Sequence, residues 1–211
     1  MPNDIKILSP AGEDIEAVLR VEEEAWPEGI RASREQFLER LRIFPEGFFL
    51  GELNREIVGV LTSQLLEYKF GEVPLGWEKT TNHGWISATH RGVGNALYIV
   101  SVGVAKRAQR KGIGSALVKF AQNFAKRRKL EYIILDSRLP EYKPFFESGI
   151  SPKDYIARSD GNFEPVDPEL RFYQRLGFKI LSPSQVISSC MDNDAESASF
   201  GVRMVWINSY D

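Results

Sequence analysis

The stretch Ala96–Val104, Ala-Leu-Tyr-Ile-Val-Ser-Val-Gly-Val, constrains this chain more than any other. Both of its faces are apolar except at Ser101, so it reads as a strand buried from two sides. Such a strand belongs in the middle of a sheet with structure layered above and below it. Its continuation sharpens the constraint. A polar loop, Gln109-Arg110-Lys111-Gly112-Ile113-Gly114-Ser115, leads into a helix beginning at Ile113, whose apolar stripe is Ala116, Leu117, Phe120, Ala121, Phe124 and Ala125. Residues 131–136 form a second buried strand. Strand, helix and strand at this spacing predict a βαβ crossover.

The junction between that strand and helix carries chemistry. The first turn of a helix has N–H groups without intrahelical partners, and its dipole favours negative charge. That is a phosphate site. Glycines at 112 and 114 let a pyrophosphate approach the backbone, and Arg110 and Lys111 add positive charge at the rim. The motif alone is short and should recur by chance in roughly one chain in five of this length. Its place between a buried strand and an amphipathic helix is far more demanding.

The flanks read as follows. Residues 5–8 form a first strand. Asp14 opens a helix carrying Ile15, Val18, Leu19 and Ala25, stopped by Pro27 and Gly29. Ser33 caps a second helix with Phe37, Leu38, Leu41 and Ile43. Residues 48–53 and 57–66 are strands around a short loop, and 67–84 is a looser region. Residues 85–88 are a candidate short strand. Lys126-Arg127-Arg128-Lys129 suits a helix C-terminus and reads as a solvated cap. Residues 137–166 hold four prolines and are expected as a semi-ordered insertion, with a helix start at Ser151-Pro152. Asp167-Pro168-Glu169 starts a helix that Gly177 closes. Residues 178–187 and 200–207 are predicted as two last strands.

The segment Phe172-Tyr173-Gln174-Arg175-Leu176-Gly177-Phe178 completes a pattern: strand, Q/R-x-x-G-x-G/A, helix, strand, helix ending Y-x-x-x-G-F, strand. This resembles the GNAT superfamily of N-acetyltransferases over most of residues 1–207. The stretches Trp77 to Thr81, Gly84-Trp85-Ile86, Arg138-Leu139-Pro140 and Asp167 to Phe172 resemble a subgroup sometimes fused to carbon–nitrogen hydrolase domains. The resemblance implies an α/β (α+β) fold: a mixed, mostly antiparallel twisted sheet, helices on both faces, and a central βαβ unit holding the cofactor. It implies one acyltransferase domain over 1–211, with the insertion at about 137–166.

It also implies acetyl-CoA as cofactor, with Gln109, Arg110, Lys111, Gly112, Ile113, Gly114 and Ser115 around the pyrophosphate. The backbone of Val102, Gly103 and Val104 would pair with the pantetheine arm and receive the thioester carbonyl. Tyr173 falls where the family often has a tyrosine near the coenzyme sulfur, as general acid. An aromatic on a helix stripe is also often plain core. The acceptor's base is the gap, because the central strand offers only Ser101. Glu67 and His90 are the leading candidates by location, with Glu72, Asp136 and His83 behind them. The expected reaction is direct attack of an amine, on a small molecule or a peptide, upon the thioester. A non-catalytic acyl-CoA sensor of the same fold is the alternative, and a different phosphate-ligand binder is a third reading.

Composition excludes little else. The 211 residues carry a net charge of -2, so no basic field argues for nucleic acid. There is one cysteine, Cys190, without a nucleophile signature, which fits a packed thiol and a reducing compartment. The first residues have no apolar leader core, and no stretch is apolar for the length of a bilayer, so no membrane partner and a cytoplasmic location are expected. No metal-ligand spacing occurs. A homodimer is compatible with all of this.

Overall fold

The computed structural model describes residues 4–209. Its frame is a seven-stranded sheet in the order β1-β2-β3-β4-β5-β7-β6. These are β1 (Ile5–Leu8), β2 (Phe48–Leu53), β3 (Glu56–Leu66), β4 (Ala96–Val104), β5 (Tyr132–Arg138), β6 (Val186–Ile187) and β7 (Gly201–Ile207). Every pairing is antiparallel except β4 with β5. The mixed, mostly antiparallel sheet and its central βαβ unit therefore match the expectation from sequence.

Helices cover both faces. Gly59 of β3 faces α4 (Ile113–Arg127): a Cβ there would lie 2.6 Å from Ile113 Cγ2, and one at its pairing partner Gly51 would lie 2.8 Å from the same atom. These two glycines let α4 sit close on the sheet. Side chains alternate faces along a strand. Gly103 accordingly faces the opposite layer, where a Cβ would lie 3.3 Å from Ala25 at the end of α1 (Ile15–Ala25). Helix α2 (Arg34–Ile43) packs against α1, and its Ser33 cap holds as expected: the hydroxyl accepts from Gln36 N–H, while the Gln36 side chain receives Ser33 N–H.

Two features of β4 position the site. It pairs with β5 only over Ala96, Leu97 and Tyr98, and beyond Tyr98 the two strands part. Against β3 its register slips between Ser101 and Ile99, leaving Val100 as a bulge residue. The Val100 carbonyl accepts from Trp77 Nε1 at 2.7 Å.

The structure corrects four expectations. Residues 85–88 are turns, and the looser region before them contains a helix, α3 (Trp77–Thr81). Asn82, His83 and Ile86 take positive φ there, which no strand tolerates. Residues 178–187 are not one strand: Lys179 makes a single bridge to Val205, Pro183 begins a 3-10 turn, and only Val186–Ile187 pair again. Pro183 lacks the N–H a ladder needs. The 137–166 segment is ordered, with α5 (Lys143–Glu147) and α6 (Pro152–Ile156). Tyr142 and Tyr155 are buried and in contact, with ring centroids 4.9 Å apart and planes tilted by 41°. Tyr155 donates to Asp167 and Tyr142 to Ile150 O, so each hydroxyl has a partner. Helix α7 (Pro168–Arg175) follows, capped by Asp167 and closed at Gly177 with φ +87.

Candidate active site

Where β4 and β5 part, a cavity of about 610 Å³ opens on the α4 side. One wall is the outer half of β4, from which Val102 and Val104 reach it. The floor is the turn into α4, with Gln109, Arg110, Gly112, Ile113, Gly114 and Ser115. The far wall is α7, which presents Glu169, Phe172 and Tyr173, and Trp26 and Arg138 stand at the inner end.

The turn is built for close approach. Arg110 has φ +60 and Gly112, the residue capping α4, has φ +92. Ala116 N–H makes the first helix bond to Gly112 O, so the N–H groups of Ile113, Gly114 and Ser115 lie ahead of it. At Gly114 the constraint is packing: a Cβ would lie 3.3 Å from Phe172 Cζ. The glycines thus do different work, one allowing a left-handed turn and the other letting α4 and α7 converge. The β5-facing edge of β4 has no strand beside it from Ile99 onward.

Two titratable groups on α7 share the inner wall. Tyr173 packs edge-on to Phe172 and Phe178, and desolvation, then the nearby Glu169 carboxyl, hold its phenol well above the ordinary tyrosine range. Glu169 lies one turn earlier and within 3.8 Å of Arg138. Desolvation by the surrounding walls outweighs that attraction and pushes its carboxyl up to about 8. About a third of its side chain still meets the cavity. Burial therefore favours the protonated form of both groups, and in that form each can donate a hydrogen bond. Arg138 is held by Asp194 through two bonds of 2.8 and 2.6 Å and by Glu196 at 2.9 Å.

Nearly every residue expected around the cofactor lies here. The exceptions are Lys111, whose side chain is exposed outside the cavity, and Gly103, which faces α1. Of the expected bases only Asp136 borders the gap between β4 and β5, and none lines this cavity. Glu67 borders a separate depression of about 420 Å³ with Glu72, Lys79 and Arg91. His90 packs on Phe44, and its Nδ1 accepts from Leu65 N–H at 3.2 Å while burial pulls its pKa down. His83 pairs with Glu78 on the surface. Asp136 is bound by Arg203 and by the Tyr98 hydroxyl. Sequence reasoning looked for a carboxylate on or beside β4, whereas the cavity draws Glu169 from α7. Its spacing of four from Tyr173 was the available signal, since residues i and i+4 share a helix face. Among the aromatic residues near the cleft, Trp26 and Trp77 reach the region between the strands. Tyr142 is core, and Trp85 and Phe146 are exposed.

Known proteins supply context for this geometry. The chain is 29% identical over 202 residues to YkwB, an uncharacterized N-acetyltransferase of Bacillus subtilis (strain 168), covering 93% of this chain and 86% of that protein. It is 26% identical over 195 residues to the probable hydrolase YhcX of the same organism, where it covers 92% of this chain but spans only 37% of the relative. A solved structure described as the GphF GNAT-like decarboxylase in complex with isobutyryl-CoA superimposes with a TM-score of 0.79, covering 96% of this chain and 98% of that one. At 24% identity that likeness speaks to fold alone. Residues 15–143, more than half of the chain, match the acetyltransferase (GNAT) family, and with the splayed β4–β5 pair and the turn into α4 this chain belongs to that family.

Proposed function

We propose that the protein is an acetyl-CoA-dependent N-acetyltransferase in which an amine acceptor attacks the thioester directly. The observation that carries this reading is one cavity containing both an unpaired strand edge and a helix N-terminus. A pantetheine arm is an extended chain of amides and suits the first. A pyrophosphate suits the second. Gln109, Gly112, Ile113, Gly114 and Ser115 would hold the pyrophosphate through backbone N–H groups, with Arg110 and Lys111 supplying charge. A backbone N–H of the β4 edge would polarise the thioester carbonyl. Tyr173 would protonate the departing thiolate, with the neutral Glu169 carboxyl as a second donor beside it. Trp26 and Trp77 would border the acceptor, a small-molecule or peptide amine.

Calorimetric titration with acetyl-CoA, and with ATP as control, tests the cofactor reading. Binding and thermal stabilisation by acetyl-CoA but not by ATP are expected. A panel of amines, followed by release of free coenzyme thiol, tests the transfer. Binding without turnover of any amine would instead mark an acyl-CoA sensor.

A further inference from the structure

Two voids of about 30 Å³ each continue the cleft inward. One lies in the gap between β4 and β5, bordered by Trp26, Trp77, Ser101, Arg138 and Tyr173. The other is bordered by Glu22, Trp26, Arg40, Trp77 and Ser101, on the α1 side of the sheet. Trp26 lines both voids and the main cavity, so the three spaces lie around its side chain. Spaces of this size hold a water where polar partners await it. Here they do. Glu22 Oε2 and Trp26 Nε1 are closed from solvent and have no hydrogen-bond partner on the protein, and among the described residues only Gln185 has another such atom. One is an acceptor and the other a donor, both on residues lining the same void. A buried polar atom left unpaired is costly, so a pair of opposite polarity calls for a shared partner.

The walls are held firmly. Glu22 Oε1 accepts from Ala32 N–H at 2.8 Å, which fixes the carboxyl and leaves Oε2 for the void. Arg40, 1% exposed, donates through Nε to Gly84 O and through one terminal nitrogen to the Thr62 and Ser101 hydroxyls. The segment supplying Gly84 O carries left-handed Asn82, His83 and Ile86, and a buried isoleucine at φ 55 is a true outlier. Strain of this kind persists where surrounding structure insists on it.

We propose that Glu22 is the proton acceptor of the transfer, receiving the attacking amine's proton through water held between Trp26 and Glu22. This rests on the acetyltransfer reading above. The amine nitrogen forms its bond to the thioester carbon and the carbon–sulfur bond breaks. One N–H proton passes to a water in the strand gap, that water gives one of its own to the water between Trp26 and Glu22, and the second water gives one to Glu22 Oε2. The thiolate takes the Tyr173 proton. Exchange with solvent then returns a proton to Tyr173 and removes one from Glu22, so the sum is amine plus thioester to amide plus thiol. The charged groups facing Glu22 are Arg40 from α2 and Arg31 from the connection between α1 and α2. Burial raises the carboxyl to about 7 against the Ala32 hydrogen bond and these two cations, which puts it where a base is effective at neutral pH.

The test is steady-state kinetics from pH 5.5 to 9 at saturating acetyl-CoA, using the best amine from the panel, for the wild type, Glu22→Gln and Glu22→Asp. The wild-type rate should rise with pH through an apparent pKa near 7. Glu22→Gln can keep the Ala32 bond. It should lower kcat about 10²-fold and remove that limb, with the acetyl-CoA KM unchanged. Glu22→Asp should keep the limb at reduced rate. A Glu22→Gln enzyme that retains rate and limb overturns the proposal. In parallel, carboxyl-carbon NMR of glutamate-labelled protein should show two raised side chains, near 7 and near 8, with the one near 7 missing from Glu22→Gln; a Glu22→Gln spectrum that keeps both overturns it too. If acetyl-CoA binds but no amine is acylated, the transfer reading fails and this route fails with it. Turnover with an unaltered Glu22→Gln profile fails the route alone.

Discussion

Tyr173 borders the strand gap and Glu22 the void on the α1 side, and burial acts on the two to different ends. Burial keeps the phenol protonated, whereas a carboxyl raised only to about 7 is half ionised at neutral pH. Paired groups pushed apart in this way suit an acid and a base. Tyr173→Phe keeps the ring contacts with Phe172 and Phe178 and removes only the hydroxyl. The expected result is kcat lowered about 10²-fold at an unchanged acetyl-CoA KM, the pattern of an interaction made only in the transition state. Full turnover under conditions where chemistry limits the rate would make the residue core alone. Glu22 also predicts a stability difference. Its folded pKa is raised, so the folded state binds more protons than the unfolded one between about 4.5 and about 7. Its contribution is full below that window and is lost as pH rises through it. Relative to wild type, Glu22→Gln should therefore gain stability as pH rises from 4.5 past 7, by up to a few kcal/mol. Urea midpoints of both proteins at pH 5 and pH 8 would read it, and a constant difference would show that the carboxyl is not raised.

Helix α4 and its turn were legible in the sequence because two physical signals coincide there, a 3.6-residue apolar stripe and glycines just before it. The unpaired β4 edge was implied by the family resemblance and not by any local pattern, because strand parting depends on what the far ends of β4 and β5 pack against. Within 137–166 the start of α6 at Ser151-Pro152 was legible, whereas α5 and the ordering of the whole segment were hidden for a related reason. Its short helices bury Tyr142 and Tyr155 against distant Phe200 and Asp167, and no local period records those contacts. From sequence the glycines at 112 and 114 had one expected role, close approach of a pyrophosphate, and the structure shows two different local reasons for them. Gly112→Ala must hold φ +92 with a Cβ, so about 1–2 kcal/mol of stability should be lost regardless of ligand. Gly114→Asp is the cleaner probe. Gly114 lies in the first turn of α4, where an aspartate complements the helix dipole, and Phe172 need yield only at its ring tip. Folding should survive while the carboxylate repels phosphate, so acetyl-CoA affinity should fall about 10²-fold with a melting temperature within a few degrees of wild type. Unchanged affinity in calorimetry would remove the pyrophosphate from this turn.

At the scale of the molecule, the wall of the active site and the 137–166 segment share one anchor. Arg138 ends β5, lines the main cavity, and is tied to Asp194 in the connection between β6 and β7. Both partners are buried, with side-chain exposures of 8% and 2%. The Asp194 carboxylate reaches further, since its Oδ1 also accepts from Ser197 N–H, and the Ser197 hydroxyl accepts from Leu139 N–H at the start of the segment. Lys143 N–H donates to Glu196 O in the same connection. The first residues after β5 therefore hang on a network centred on one carboxylate. Asp194→Asn leaves the guanidinium buried beside a neutral amide, and breaking a buried pair from one side costs about 3–5 kcal/mol. The variant should melt lower, and trypsin should cut at Lys153 and Arg158 sooner than in wild type, because local opening of the segment becomes easier. Arg138 would also lose its fixed place beside Glu169, so acetyl-CoA should bind more weakly and restore less of the melting temperature than it gives the wild type. A variant with wild-type melting and digestion would mean that the aromatic cluster of Tyr142, Phe145 and Tyr155 holds the segment without the ion pair.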